Sequence, residues 1–325
     1  MNERRPYIIV TRRLPQSVET ALADGFEVQL NPADRQFTRD ELRAALAGAD
    51  GLLCTLTDPL DRSVLLPGPH RARILASFGV GVNHVDLDAA RQAGLLVTNT
   101  PDVLTDCTAD LTIALILMTL RRLGEGERLL RAGEWRGWTP THHLGRQVTG
   151  RTLGIVGFGR IGRAVALRAH RGFGMRILVH SRTRPERADL ERCGASYCDS
   201  LDALLPDVEI LSLHVPATAQ TRGMMDARRL ALLPAGAVLI NTARGDLVDE
   251  PALIQALQSG RLGAAGLDVF AREPEVPAAL REMENVVLLP HLGSATVETR
   301  TAMGLRAVKN LVDFFSGAEP RDRVG

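Results

Sequence analysis

The stretch Leu153-Gly154-Ile155-Val156-Gly157-Phe158-Gly159-Arg160-Ile161-Gly162 constrains this chain more than any other. An apolar strand runs straight into a Gly-x-Gly-x-x-Gly turn, and helical spacing follows through Ala164, Val165, Leu167 and Arg168. In such a unit the first glycine permits the tight turn, the second lets a pyrophosphate approach the backbone, and the third lets helix and strand pack closely. The anion then rests on unpaired amides at the helix N-terminus. A glycine turn alone is a weak signal. With a strand before it and a helix after it, the spacing predicts a dinucleotide site on Gly157, Gly159, Arg160, Ile161 and Gly162.

That unit heads the second of two α/β runs, and 325 residues are too many for one ordinary core. Apolar runs at 7–10, 26–30, 51–55, 73–78 and 95–98 alternate with helical spacing at 16–24, 39–47 and 86–93, which describes an open parallel sheet. A long helix is expected from Val103 to Leu123, opened by Thr100-Pro101-Asp102 and leading into a loop with Trp135 and Trp138. From Arg151 onward, six strands at 152–156, 175–180, 208–215, 237–242, 264–269 and 285–290 fit a complete dinucleotide-binding fold. The last helix, Ser294 to Phe315, follows when that sheet is full and could pack on either domain.

Composition narrows the class of partner. Hydrophobic content of 45% with 24% charged residues is that of a folded chain, and a net charge of +1 gives no reason to expect nucleic acid or an acidic membrane. The apolar run Leu111 to Leu120 falls far short of a bilayer span. Cys54, Cys107, Cys193 and Cys198 show neither a Cys-x-x-Cys nor a zinc spacing, so free thiols, no metal and a cytoplasmic setting are expected.

Two further readings come from strand ends, where ligands of open parallel sheets bind. After the strand at 175–180, an NAD site would place an acid on the ribose 2′-hydroxyl. The sequence has instead His180-Ser181-Arg182-Thr183-Arg184-Pro185. No carboxylate is there to repel a 2′-phosphate, and Ser181, Arg182 and Arg184 are placed to bind one, so NADP is predicted over a weaker NAD. The other reading joins Asn241-Thr242-Ala243-Arg244-Gly245-Asp246, Asp268 with Glu273, and Pro290-His291-Leu292-Gly293. Each has an ordinary structural explanation by itself. Together they match the reduction of a 2-oxo acid: an arginine fork for the carboxylate, a histidine for the proton, and a carboxylate to keep that histidine charged and oriented.

These residues carry a family resemblance along essentially the whole chain. Ile9-Val10-Thr11-Arg12-Arg13, Gly51-Leu52-Leu53-Cys54, Thr100-Pro101-Asp102-Val103-Leu104-Thr105-Asp106, the glycine turn, Asn241 to Asp246 and Pro290-His291-Leu292-Gly293-Ser294-Ala295-Thr296 stand in the order and spacing of D-isomer-specific 2-hydroxyacid dehydrogenases, of the glyoxylate/hydroxypyruvate reductase branch. The resemblance implies a flavodoxin-like substrate domain, residues 1–100 with 293–325, and an inserted Rossmann domain, residues 101–292. It implies Arg244, Glu273 and His291 as catalytic residues, with Arg244 on the substrate carboxylate, His291 as general acid and Glu273 as its partner. Thr242, Ala243, Asp268 and Gly293 would line the cofactor, with His214, Pro216 and Thr221 beside its riboses. The amides of Val80 and Gly81 would hold the carboxylate from the opposite domain, and Leu56 would touch the substrate's tail. A homodimer is implied, with Trp138 reaching the partner's active site. Asn83 and Cys107 depart from common family residues without removing a catalytic group.

Rival readings are a relative acting on another acid, such as 3-phosphoglycerate, formate or phosphite, and a non-catalytic nucleotide-sensing protein. Glu273 argues against formate, whose enzymes carry glutamine there. The presence of Arg244, Glu273 and His291 together argues against the sensor.

Overall fold

The computed structural model describes residues 4–324. The chain forms two compact units, Met1–Leu104 with Ala295–Gly325, and Thr105–Ser294. Thirteen strands occur among the described residues: β1 (Tyr7–Val10), β2 (Glu27–Gln29), β3 (Gly51–Thr55), β4 (Ile74–Phe78), β5 (Leu96–Thr98), β6 (Thr152–Val156), β7 (Arg176–His180), β8 (Ala195–Tyr197), β9 (Ile210–Leu213), β10 (Ala237–Asn241), β11 (Leu262–Leu267), β12 (Val286–Leu288) and β13 (Arg323–Val324).

In the first unit the sheet order is β13-β5-β4-β3-β1-β2. β1 to β5 are parallel, and β13 closes the β5 edge antiparallel, with Arg323 opposite Thr98. The central strands are buried on both faces, so they read as continuous apolar runs such as Ile74–Phe78. The helix Val297–Phe315 packs on this sheet through Met303, Ala307 and Leu311, which is where the final helix belongs. β13 lies outside the sequence expectations: two residues near a chain end carry no periodicity to read.

The second unit is a parallel sheet ordered β12-β11-β10-β9-β6-β7-β8. The strand order reverses between β6 and β9, which puts the ligand crevice of such a sheet at their C-terminal ends. Six strands were expected and seven are present. The additional one, β8, is a three-residue edge strand, Ala195-Ser196-Tyr197, too short and too exposed to need an apolar run. The long helix expected from Val103 to Leu123 is the helix Thr105–Leu120, and a second helix, Leu123–Arg131, follows where a loop was expected, the two separated where Arg122 adopts φ 54°. A left-handed residue cannot continue a right-handed helix. No helix of the described residues is long and apolar enough to cross a membrane, and no cluster of His, Cys, Asp and Glu among them could hold a metal ion. All four cysteines are free thiols, Cys54 and Cys193 being buried.

Candidate active site

The second unit carries the glycine turn at the end of β6. Gly157 has φ +96°, and a Cβ there would lie 2.5 Å from the carbonyl oxygen of His214. A Cβ on Gly162 would fall 2.0 Å from the carbonyl oxygen of Gly157, so turn, helix and neighbouring loop close on one another only with glycines in place. Gly159 differs: a Cβ there would meet no atom within 4 Å. It caps the helix Arg160–Phe173 with no side chain bonded to the first turn, which holds Arg160 and Ile161. Open space above an uncapped helix start fits a dinucleotide pyrophosphate.

His214, at the end of β9, donates its backbone N–H to Val156 and bonds the Ser212 hydroxyl through Nε2 at 2.8 Å. Burial pushes its imidazole down to about 4, so the ring is neutral. Its buried Nδ1 has no hydrogen-bond partner among the described residues, which also suits a site that a ligand completes. Further along this loop, the Thr221 hydroxyl donates to the Pro216 carbonyl at 2.6 Å and fixes the loop's shape.

At the end of β10 the chain turns through Thr242, Ala243 and Arg244. The buried Asn241 amide shapes that turn, accepting from Ala243 N–H at 3.0 Å and donating to the Arg244 carbonyl at 2.8 Å. Thr242 shares a 2.9 Å hydroxyl bond with Thr112. Arg244 is half-buried and makes no ion pair among the described residues; its guanidinium donates only to the Ala243 carbonyl, at 2.6 Å. Burial pushes its pKa below the ordinary arginine value, and the charges of Glu273 and Asp246 pull the other way. A sequestered guanidinium with no counter-ion is a site prepared for an anion.

His291 sits just beyond β12 and bonds Glu273 through Nδ1 at 2.8 Å. The other Glu273 oxygen accepts from Phe270 N–H at 3.0 Å. Burial pushes the Glu273 pKa upward, but the His291 bond and charge, the Phe270 amide and the Arg244 charge more than offset it, so it lies below its ordinary value. With Nδ1 occupied, the other imidazole nitrogen is the one available to a substrate.

The histidine's backbone is itself constrained, with φ 55°, an uncommon conformation for a residue with a side chain. Asp268 accounts for it. Fully buried at the end of β11, its carboxylate accepts from Leu292 N–H at 2.6 Å and Gly293 N–H at 2.8 Å, while its carbonyl accepts His291 N–H at 3.0 Å. Burial pushes Asp268 above the ordinary carboxylate value, and those two amides with the His291 charge hold it back. Three bonds from one residue lock the loop in its strained shape.

The segment after β7 is looser. The Ser181 hydroxyl donates to the Thr183 carbonyl at 2.7 Å. The Arg184 guanidinium lies 5.1 Å from the Tyr197 ring centroid and 3.9 Å from Asp199. Arg182 is exposed and makes no hydrogen bond or ion pair among the described residues. The three residues read as one phosphate cluster therefore differ: Arg182 is free, and Arg184 is turned onto an aromatic ring.

In the first unit Leu56 follows β3 and is 36% exposed, while Val80 and Gly81 follow β4. Trp138, 79% exposed, lies in the stretch after the helix Leu123–Arg131, with Trp135 and Leu144 also exposed nearby in sequence. Thr112, Ser212 and Tyr197 were not foreseen, nor was the part that Asn241, named within its segment, plays in shaping the turn. They act through hydrogen bonds and ring contacts behind the site, and their residue types carry no signal of it.

Residues 113–293 match the model of the D-isomer specific 2-hydroxyacid dehydrogenase NAD binding domain. A glyoxylate reductase of Thermococcus litoralis is 42% identical over 324 residues, 98% of this chain and 97% of that protein. The NADPH-dependent glyoxylate/hydroxypyruvate reductase of Sinorhizobium meliloti, solved with NADP and malonate, matches with a TM-score of 0.88 and 40% identity over 99% of this chain and 97% of that one. A glyoxylate reductase of Paecilomyes thermophila gives a TM-score of 0.88 at 32% identity, over 100% and 99% of the two chains. With the glycine turn, the lone guanidinium and the carboxylate–imidazole pair all beyond the C-terminal ends of strands of one sheet, the chain belongs to the D-isomer-specific 2-hydroxyacid dehydrogenase family.

Proposed function

We propose that this protein reduces a small 2-oxo acid to the D-2-hydroxy acid, glyoxylate to glycolate or hydroxypyruvate to D-glycerate, with NADPH the preferred donor and NADH a weaker one. The observation that carries the reading is Arg244, a half-buried cation without a counter-ion, within electrostatic reach of Glu273 and so of the 2.8 Å Glu273–His291 pair.

The dinucleotide, when bound, supplies a hydride. Its pyrophosphate belongs on the first turn at Gly159, Arg160 and Ile161, with Thr242, Ala243, Gly293, His214, Pro216 and Thr221 around the remainder. Arg244 binds the substrate carboxylate and polarises the carbonyl. The His291 imidazolium gives its proton to the carbonyl oxygen as that oxygen gains negative charge, and Glu273 holds the ring in place and compensates its charge. Asp268 keeps the His291 loop in position. Unit Thr105–Ser294 is the dinucleotide domain in this reading. In this reading the Val80 and Gly81 amides receive the substrate carboxylate, and Leu56 meets the substrate's tail.

NADP preference rests on the absence of an acid after β7 and on Arg182, whose charge is free for a 2′-phosphate. Ser181 joins by turning its hydroxyl from Thr183, and Arg184 adds charge from the Tyr197 ring. The NADP bound by the Sinorhizobium meliloti enzyme supports this reading. The exposed Trp138 and Trp135 favour a homodimer in which Trp138 serves the partner's site.

The test is oxidation of NADPH and NADH followed over glyoxylate, hydroxypyruvate, pyruvate and phosphohydroxypyruvate. Turnover with the first two and NADPH is expected. Activity confined to phosphohydroxypyruvate, or none with any oxo acid, would overturn the reading.

A further inference from the structure

The loop Phe78-Gly79-Val80-Gly81 leaves β4 with its backbone pinned from one side. The Thr100 N–H donates to the Gly79 carbonyl at 2.9 Å, and the Asn99 side-chain amide donates to the Val80 carbonyl at 2.8 Å. These peptides are trans. In a trans peptide the carbonyl and the following N–H point to opposite sides of the chain in one plane. Fixing the Gly79 carbonyl therefore aims the Val80 N–H away from residues 99–100, and fixing the Val80 carbonyl aims the Gly81 N–H the same way. Neither N–H makes a hydrogen bond among the described residues. Two adjacent free amides are an anion nest, and a donor on each carbonyl also polarises the amide beyond it.

Asn99 is itself held from behind by the last turn of chain. Its N–H donates to the Asp322 carbonyl at 3.1 Å, and its carbonyl accepts from the Asn310 side chain at 3.1 Å. The same Asn310 amide reaches the Asp322 carboxylate at 3.2 Å, which is clasped by both arms of Arg306 at 2.6 and 2.7 Å. Asn310 is 1% exposed and Asp322 6%, so this is a desolvated network and not a surface ion pair.

We propose that Asn99 is a positioning residue for substrate binding: through the Val80 carbonyl it aims the Gly81 amide at the substrate carboxylate, and the Arg306–Asp322–Asn310 clasp fixes Asn99. This rests on the reading that the Val80 and Gly81 amides receive that carboxylate. The residue touches no substrate itself, so its effect falls on binding of the carboxylate and not on the proton or the cofactor.

The experiment is steady-state kinetics of the full-length protein with Asn99→Asp, which keeps the shape and replaces the donor with an acceptor, and with Asn99→Ala. The expected result is a KM for glyoxylate raised about tenfold, with the inhibition constant of oxamate raised in parallel, while kcat and the KM for NADPH stay within about twofold. Folded variants with unchanged KM and unchanged oxamate inhibition overturn the proposal, as does an equal loss in kcat and cofactor affinity.

Should both variants fail to fold, the unmodified protein gives the answer by amide NMR. Oxamate added with NADPH should move the Gly81 N–H and the Asn99 side-chain NH2 on one titration curve, and movement of Gly81 without Asn99 overturns the proposal. A protein that reduces no 2-oxo acid and whose Gly81 amide ignores oxamate removes the underlying reading instead. One that reduces glyoxylate with KM unchanged in the variants removes only the role of Asn99.

Discussion

The loop that carries His291 and the loop that carries Arg182 both leave parallel strands of the same sheet, yet they are built in opposite ways. The His291 loop is locked: Asp268 takes three of its N–H groups, Glu273 takes the imidazole, and the backbone is held at φ 55°. The Arg182 loop is open, with one internal hydroxyl bond, a free guanidinium and Arg184 lying over Tyr197 with 72% of its side chain exposed. Geometry for proton transfer tolerates little displacement, whereas attraction for a phosphate is long-ranged and tolerates much. A substitution in the first loop should therefore change rate, and one in the second should change which dinucleotide is used.

The sharpest way to break that contrast is His291→Ala. Loss of general acid catalysis lowers reductive turnover by roughly 10²–10⁴-fold, with NADPH binding little changed, as read by stopped-flow and fluorescence titration. Near-normal turnover would place the proton elsewhere.

Asp268→Asn probes the lock without touching the acid. An amide offers one acceptor where the carboxylate offers two, so either Leu292 or Gly293 N–H loses its partner and meets a donor. An unsatisfied buried group costs about 1–3 kcal/mol. Thermal stability and kcat should both fall, kcat by at least about tenfold. Unchanged kcat would mean that the strained loop holds itself.

How much of this the sequence discloses follows from the same contrast. Arg244, Glu273 and His291 were legible because the chemistry demands those side chains in the segments beyond strand ends, and the glycine turn because a Cβ on Gly157 would collide with the His214 carbonyl. Asp268 was expected to face the cofactor. Its position was readable, but its three bonds to the His291 loop depend on a loop closure that no local spacing encodes. Main-chain sites are least legible: the role proposed for Val80 and Gly81 uses only N–H groups, which every residue but proline has, so only a family pattern could single them out. The missed strands β8 and β13 are short edge strands without alternation, and the helix Leu123–Arg131 follows the apolar run Leu111 to Leu120 in a polar stretch that reads as a loop.

For the open loop, Ser181→Asp combined with Arg182→Ala should shrink or invert a NADPH preference of at least about tenfold in kcat/KM, about 1.4 kcal/mol, chiefly through the KM for cofactor. Charge-assisted bonds to a phosphate are worth about 1.5–3 kcal/mol each before desolvation and ordering costs. Equal efficiency with NADH in the unmodified protein would show that Arg182 stays in solvent. The smallest effect is expected from Trp138→Ala, a several-fold rise in substrate KM with the dimer intact by sedimentation; a monomeric parent protein would remove that role altogether.

The most direct test of the central claim, that the Glu273–His291 pair delivers the proton, is the pH profile of kcat for glyoxylate reduction in the parent and in Glu273→Gln. Glu273 lies below its ordinary value of 4.5, so its favourable contribution is present above that pH and is lost only as pH falls through the lowered value. The parent should therefore hold its rate through mildly acid pH and lose it only as pH falls through the lowered Glu273 value. In Glu273→Gln no carboxylate faces the ring and none titrates there, so kcat should be at least about tenfold lower and show no such acid fall. An unchanged kcat in Glu273→Gln, or an acid fall at the same pH in both proteins, would contradict the claim.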